Sequence, residues 1–159
     1  MKKEILKELM EQNLEFAKHL LLKDGKLFPV AFMICKNEMG VIPLSFRDAN
    51  EKDMQVAILR KLAKEKSADA VFMITESWYL GTNNVEDLGG SLSEHPMRKE
   101  CVFVMGECEN GRITMVQTFE RENDKIIFGE KIDIDDTAIT RFNFGIKDKK
   151  RDTTKISLN

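Results

Sequence analysis

Apolar residues recur at helical spacing in two stretches of the chain. Over residues 2–23 they form one stripe, with charged residues mostly opposite, which predicts an amphipathic helix. Gly25 then stops this helix, because glycine readily takes the left-handed conformation. A second helix is predicted over residues 51–66, with Asp48 or Asn50 as its N-cap. The predicted buried stripes are Ile5, Leu6, Leu9, Met10, Phe16, Ala17, Leu20 and Leu21 in the first helix, and Met54, Ile58 and Leu62 in the second.

Six other stretches have the short apolar runs or the alternation that are typical of β-strands. They are residues 27–35, 41–46, 69–79, 99–107, 112–120 and 125–132. The third run is apolar at consecutive positions, so both faces of that strand are expected to be buried. Asn110-Gly111 predicts a type I′ hairpin turn, since these residues accept positive φ angles. A further hairpin turn is predicted at residues 36–40.

The element order α-β-β-α-β-β-β-β predicts an α+β fold. We expect one mostly antiparallel sheet of five or six strands, with both helices packed on one face. This order resembles the profilin-like and roadblock-like architectures, a resemblance of element order that carries no function. At 159 residues the chain has the size of about one domain. Residues 1–144 are assigned to it, and residues 145–159, with five basic and two acidic side chains, to a basic tail that we expect to be flexible.

Composition narrows the classes of partner. A formal net charge of −2 indicates no general affinity for nucleic acid or an anionic membrane, apart from weak phosphate contacts through the tail. Without a long apolar run or a signal-peptide pattern, a cytoplasmic location is expected. The three cysteines lack CxxC spacing and are interpreted as reduced thiols. The two histidines have no metal-ligand spacing, so neither a metal nor a cofactor is expected.

Candidate chemistry concentrates around a glycine- and serine-rich loop at about residues 80–97. If the strands on either side of it are antiparallel neighbours, five polar and aromatic side chains gather at one sheet edge beneath the loop. These candidates are Glu76, Trp78, His95, Arg98 and Glu100. Together they could bind an anionic ligand or move a proton. We favour the alternative in which Arg98 bridges Glu76 or Glu100 and ties the loop down, because structural ion-pair networks are common.

The same region carries a recognisable arrangement of residues. Glu76-Ser77-Trp78 ends one strand, and Ser93, Pro96, Arg98 and Glu100 in the pattern S-x-x-P-x-R-x-E lead into the next. This resembles an uncharacterised family of small prokaryotic and phage proteins over residues 69–107, and the resemblance implies no activity.

Two functional hypotheses remain open at the level of sequence. One is a non-catalytic interaction or accessory domain, which binds a protein partner or self-associates as a dimer. The other is a small enzyme or anionic-ligand-binding protein with its site under loop 80–97. The first is favoured, because the sequence contains neither a phosphate-binding glycine loop nor a Gly-x-Ser-x-Gly elbow.

Overall fold

The fold is built from two helices and six strands. A computed structural model describes residues 1–80 and 94–134. The predicted α+β class and element order are confirmed, whereas the predicted domain end at residue 144 and the basic tail lie outside the described residues. In chain order the elements are α1 (Lys3–Asp24), β1 (Val30–Cys35), β2 (Glu38–Pro43), α2 (Ala49–Glu65), β3 (Ala70–Tyr79), β4 (Lys99–Cys108), β5 (Gly111–Glu122) and β6 (Lys125–Ile134).

The six strands form one antiparallel sheet in the order β2-β1-β3-β4-β5-β6. Both β2 and β3 are antiparallel to β1, so they run parallel to each other on either side of it. Helix α2 connects β2 to β3 and therefore crosses over β1, as in a β-α-β unit whose handedness is fixed. Strands β2 and β6 are the two edges of the described sheet.

The two helices lie on opposite faces of the sheet. Phe32 and Phe72 belong to the core beneath α1, while their neighbours Met33 and Met73 belong to the core beneath α2. Because successive side chains of a strand point to opposite faces, these cores are separated by the sheet. We call the two sides the α1 face and the α2 face. The expectation that both helices share one face was wrong, because β1 and β3 are apolar on both faces and each face must be covered.

Helix α1 is anchored to the sheet along its length. It buries Leu6, Met10, Leu14, Ala17 and Leu21, one side chain for each turn. On one flank Lys7 and Glu11 form ion pairs with Asp133 and Lys131 of β6, and the hydrogen bond from Lys7 to Asp133 raises the pKa of the Lys7 ammonium.

Two residues of α1, Ile5 and Phe16, are exposed rather than buried as predicted. A helix buries only a stripe, and the stripe that contacts the sheet is centred on Met10, Leu14 and Ala17. At helical spacing Ile5 and Phe16 lie away from that stripe, so their side chains face solvent.

Helix α2 starts where the sequence predicts but turns a different side to the sheet. The Asp48 carboxylate accepts a hydrogen bond from the Glu51 N–H, which confirms Asp48 as the N-cap. The buried residues are Val56, Leu59 and Ala63. The predicted stripe was wrong for Met54 and Ile58, which point to solvent with exposed fractions of 65% and 58%, whereas the predicted Leu62 packs against the core on the α2 face. Two stripes of apolar residues compete on this helix, and the one with Val56, Leu59 and Ala63 packs against Ala31 and Met33.

Three tight hairpins join neighbouring strands. Lys36-Asn37 and Asn123-Asp124 have positive φ at both turn positions, as a type I′ turn requires. The β1–β2 turn is thus shorter than the predicted residues 36–40, because Glu38 already pairs with Cys35. The β4–β5 hairpin occurs as predicted, but Gly111 pairs with Cys108, and its two-residue loop is Glu109-Asn110. A type I′ turn at Asn110-Gly111 was therefore wrong.

Candidate functional site

Four of the five candidate residues meet on the α1 face, beyond the C-terminal end of α1. Trp78 is opposite Glu100 in the β3–β4 register, and Glu76 is opposite Val102 of the α1-face core. Side-chain alternation puts Glu76, Trp78, Arg98 and Glu100 on the same side. The strands that carry them lie inside the sheet, with β1 and β5 on either side. The cluster is therefore at one end of the strands and not at a sheet edge.

Arg121 of β5 is the residue at the centre of this cluster, and sequence reasoning missed it. Its Nε lies 3.1 Å from a Glu100 carboxylate oxygen, and one Nη lies 3.6 Å from Oε2 of Glu76. Its other Nη donates to the Gly25 carbonyl at 2.6 Å, directly after α1. The other Glu76 oxygen accepts the Leu27 N–H. Arg121 thus joins the end of α1 to three neighbouring strands.

Arg98 does not make the predicted ion pair. Its guanidinium lies over the Trp78 ring, 4.5 Å from the ring centroid, and donates to the His95 carbonyl at 3.0 Å. The Arg98 Nε is buried and has no hydrogen-bond partner among residues 1–80 and 94–134. The interpretation that Arg98 bridges Glu76 or Glu100 was wrong, because Arg121 already occupies both carboxylates.

His95 supports the turn that precedes β4. Its Nδ1 accepts the Met97 N–H at 3.1 Å, and its carbonyl also accepts the Arg98 backbone N–H. Through these contacts His95 positions Arg98 over Trp78. Nδ1 of His95 is therefore occupied by a hydrogen bond that stabilises this turn.

An open groove of about 490 Å³ runs beside the cluster. Acidic and basic side chains alternate around it, so it presents no single sign of charge. Its lining consists of Trp78, Pro96, Arg98, Lys99, Glu100, Phe119, Glu120, Arg121 and Glu122. Glu76 and Glu100 are both paired with Arg121, so neither of these two candidate carboxylates is free for proton transfer.

The chain matches the family described as bacteriophage lambda protein ea47 over residues 1–148. It belongs to this phage protein family. The ea47 match contains the whole described sheet and both helices, and it confirms the phage resemblance noted around residues 69–107 while extending well beyond it.

Neither a curated protein nor a solved structure matches this ea47-family chain. Within the described residues, neither α1 nor α2 has the length and apolar character needed to cross a membrane.

The cysteines of this ea47-family protein are poorly suited to nucleophilic chemistry where they are buried. Cys101 lies on the α2 face, and burial raises the pKa of its thiol to about 12, against smaller opposing effects of Lys52 and the Ser77 backbone. Cys108 is buried on the α1 face. No group of three His, Cys, Asp or Glu side chains converges in the described parts of the chain as a metal site would require.

A second feature of this ea47-family fold is a set of exposed apolar side chains. Phe16 of α1, Phe28 before β1, and Met39 and Val41 of β2 are exposed by 61%, 71%, 46% and 59%. Met39 and Val41 are opposite Ile34 and Phe32, so they lie together on the α1 face of the edge strand β2. We call these four residues the hairpin surface.

Proposed function

We propose that this ea47-family protein is a non-catalytic interaction domain that binds a protein partner through the hairpin surface. The observation that carries the proposal is the exposure of Met39 and Val41 on one face of the edge strand β2, together with the exposure of Phe16 and Phe28. Clustered apolar side chains of this size mark interaction surfaces more often than scattered single residues do. Two of the four are phenylalanines, a type that is enriched at interfaces.

The polar cluster beyond the C-terminal end of α1 supports the same proposal. Arg121 neutralises Glu76 and Glu100, and the contacts of both carboxylates hold the end of α1 in place. The Cys101 thiol, with a pKa of about 12, is a weak nucleophile at neutral pH. These groups are used to stabilise the fold and not to react.

Site-specific photo-crosslinking tests the proposal. Phe16 or Phe28 is replaced by p-benzoylphenylalanine in the full chain, which keeps an aromatic side chain at an exposed position. Lys61 on the outer side of α2 is the matched control, since its side chain is 79% exposed. We expect a discrete adduct at Phe16 and Phe28 that the additional substitution Val41→Lys removes.

The Lys61 variant should give no such adduct. An absence of adducts at both phenylalanine positions, or the same adducts from Lys61, would contradict the proposed function.

A second candidate function is anionic-ligand binding in the groove beside Arg98. It is favoured by one observation, the buried Arg98 Nε without a partner among the described residues. Trp78 beneath Arg98 is the one tryptophan of the chain, so its fluorescence reports directly on this site. Titration with inorganic phosphate should change the emission saturably and Arg98→Ala should abolish the change; a linear response in both proteins rejects this candidate.

A further inference from the structure

We infer that the partner at the hairpin surface is a second copy of this chain, whose β2 pairs with the first β2 in antiparallel orientation about Gly40. The two six-stranded sheets then form one continuous sheet. This inference deepens the proposed interaction function and rests on it. The class of partner is inferred from the outward-pointing backbone groups of the edge strand β2.

The hairpin geometry determines which backbone groups of β2 point outwards. In a two-residue hairpin the residues beside the turn, Cys35 and Glu38, form a hydrogen-bonded pair, and such pairs then alternate along the strands. The Leu44 N–H donates to the Pro29 carbonyl at 3.0 Å, which agrees with this alternation. Glu38, Gly40 and Ile42 therefore bond to β1, and the N–H and C=O groups of Met39 and Val41 point away from it.

One register uses all four outward groups of Met39 and Val41. With a two-fold axis between the Gly40 residues, Met39 of each copy is opposite Val41 of the other, and both pairs are hydrogen-bonded. The apolar side chains of these residues then contact each other across the α1 face. Pro43, whose missing N–H would have pointed outwards, lies at the end of the strand.

The charges of the strand agree with this register. Glu38 is the one charged residue of β2 and would lie opposite Ile42 of the second copy, so no like charges meet. Edge strands that avoid pairing usually carry lysines, bulges or inward-pointing charges. β6, the other edge, has four charged residues and a register shift where it pairs with β5. Of the two edges, β2 is the one that is suited to pairing.

An engineered disulfide tests the register directly. A Cβ at Gly40 would meet no atom closer than the Met33 carbonyl oxygen at 3.8 Å, so Gly40→Cys fits the fold. The Cα atoms of the non-hydrogen-bonded Gly40 pair would lie about 4.5 Å apart, within the range of a disulfide. The variant is made in a Cys35→Ser background, because Cys35 is a half-buried free thiol beside the hairpin. Ile127→Cys on β6, in the same background, is the control for random collisions.

We expect Gly40→Cys to form a covalent dimer on mild oxidation at low protein concentration, where Ile127→Cys remains monomeric. Sedimentation equilibrium provides a second measurement. The Val41 N–H points outwards and bonds to none of the described residues. Val41→Pro removes this N–H and should raise the dimer dissociation constant by about tenfold or more. Val41→Lys should do the same if the proline variant does not fold.

Different results would reject the inferred dimer and the proposed interaction function. A wild-type chain that is monomeric up to ~200 µM, together with equal crosslinking of the Gly40→Cys and Ile127→Cys variants, overturns the inference. If photo-crosslinks from Phe16 then join the chain to a different protein, the proposed interaction function survives without self-association. If, in addition, no crosslink forms at Phe16 or Phe28, both fail.

Discussion

The two helices are held to the sheet in different ways. α1 buries five side chains in a line, exchanges ion pairs with β6 and has its C-terminal end fixed by Arg121. α2 buries three, two of which are the small residues Val56 and Ala63, and directs Met54 and Ile58 outwards. The ion pair Lys61–Glu65 lies within α2, and the ion pair Arg47–Glu51 links α2 to the residues just before it.

The difference shows that the packed side of a helix is not always its most apolar side. α1 precedes the sheet in the chain and covers it with its strongest stripe. α2 connects β2 to β3, so the crossover over β1 limits where it lies. The side that packs on the sheet carries the small Val56 and Ala63, and the larger Met54 and Ile58 are left in solvent.

Truncation of a matched pair of leucines should give the largest effect. Leu14 of α1 and Leu59 of α2 are both almost completely buried. We expect Leu14→Ala to lower the free energy of unfolding by about 3–5 kcal/mol and Leu59→Ala by about 2–3 kcal/mol, because α2 is freer to settle into the cavity. Urea denaturation measures both, and an equal or greater loss for Leu59→Ala would show that α2 is as firmly held as α1.

The crossing point of α1 over β4 offers a sharper test. A Cβ at Gly106 would lie 2.5 Å from Sδ of Met10 and 3.0 Å from Cβ of Phe72, so α1 can approach only a glycine here. Gly106→Ala should destabilise the fold by about 1–3 kcal/mol. Met10→Ala removes the main obstacle, so the double variant should be more stable than the sum of the two single effects predicts. Strict additivity would contradict this contact.

The end of α1 tests the role of Arg121. Arg121→Ala should cost about 1 kcal/mol, since its partners are partly exposed and their ion pairs are screened by water. Arg98→Ala should cost at most about 0.5 kcal/mol, because Arg98 has no carboxylate partner among the described residues. Denaturant midpoints of the two variants measure this difference. A greater loss of stability for Arg98→Ala would show that Arg98, and not Arg121, is the arginine that stabilises this end of the fold.

High pH should act on the α2 face through Cys101. Because burial raises the thiol pKa from 9.0 in the unfolded chain to about 12, the folded state favours the neutral thiol. This contribution to stability is complete below pH 9 and is lost as the pH rises towards 12. Wild type should therefore lose more stability than Cys101→Ala over this range. Parallel stability curves for the two proteins, measured by chemical denaturation, would argue against a buried neutral thiol.

The smallest effect is expected on the outer side of α2. Ile58→Ser should change the free energy of unfolding by no more than about 0.5 kcal/mol, because Ile58 is mostly exposed. Thermal melting of this variant beside Leu59→Ala compares two adjacent positions. A loss of more than 1–2 kcal/mol for Ile58→Ser would mean that this side of α2 is covered (roughly the cost of an ordinary core substitution).

Hydrophobic periodicity predicted which segments form helices and strands, but it did not predict which apolar side of α2 is buried. The existence of both helices, all six strands and the Asp48 cap follows from local patterns. The buried side of α2 does not, because the sequence contains two stripes at helical spacing and the crossover selects one. β3 is apolar at consecutive positions, and that signal already implied that both sheet faces need a helix.

The sequence predicted which two strands bring the candidate residues together, but not the contacts that these residues make. Antiparallel pairing of β3 and β4 was enough to bring Glu76, Trp78 and Glu100 together. The partner of the two carboxylates depends on the β4–β5 register, which places Phe119 opposite Glu100 and Arg121 two residues further along. Register over a whole strand is set by turns and packing, so Arg98, which is adjacent in sequence, was the more obvious choice and the wrong one.

The strand order has a consequence for the time course of folding. β1–β2, β4–β5 and β5–β6 each close through a two-residue turn, and such hairpins form within about 1–10 µs. β1 must also pair with β3, although Val30 and Ile74 are 44 residues apart in the chain. Because α2 connects β2 to β3, it must cross over β1 before β1 pairs with β3 or while they pair. The slow step of folding is therefore expected at the β1–β3 seam, where a small hairpin docks onto a larger, already formed meander.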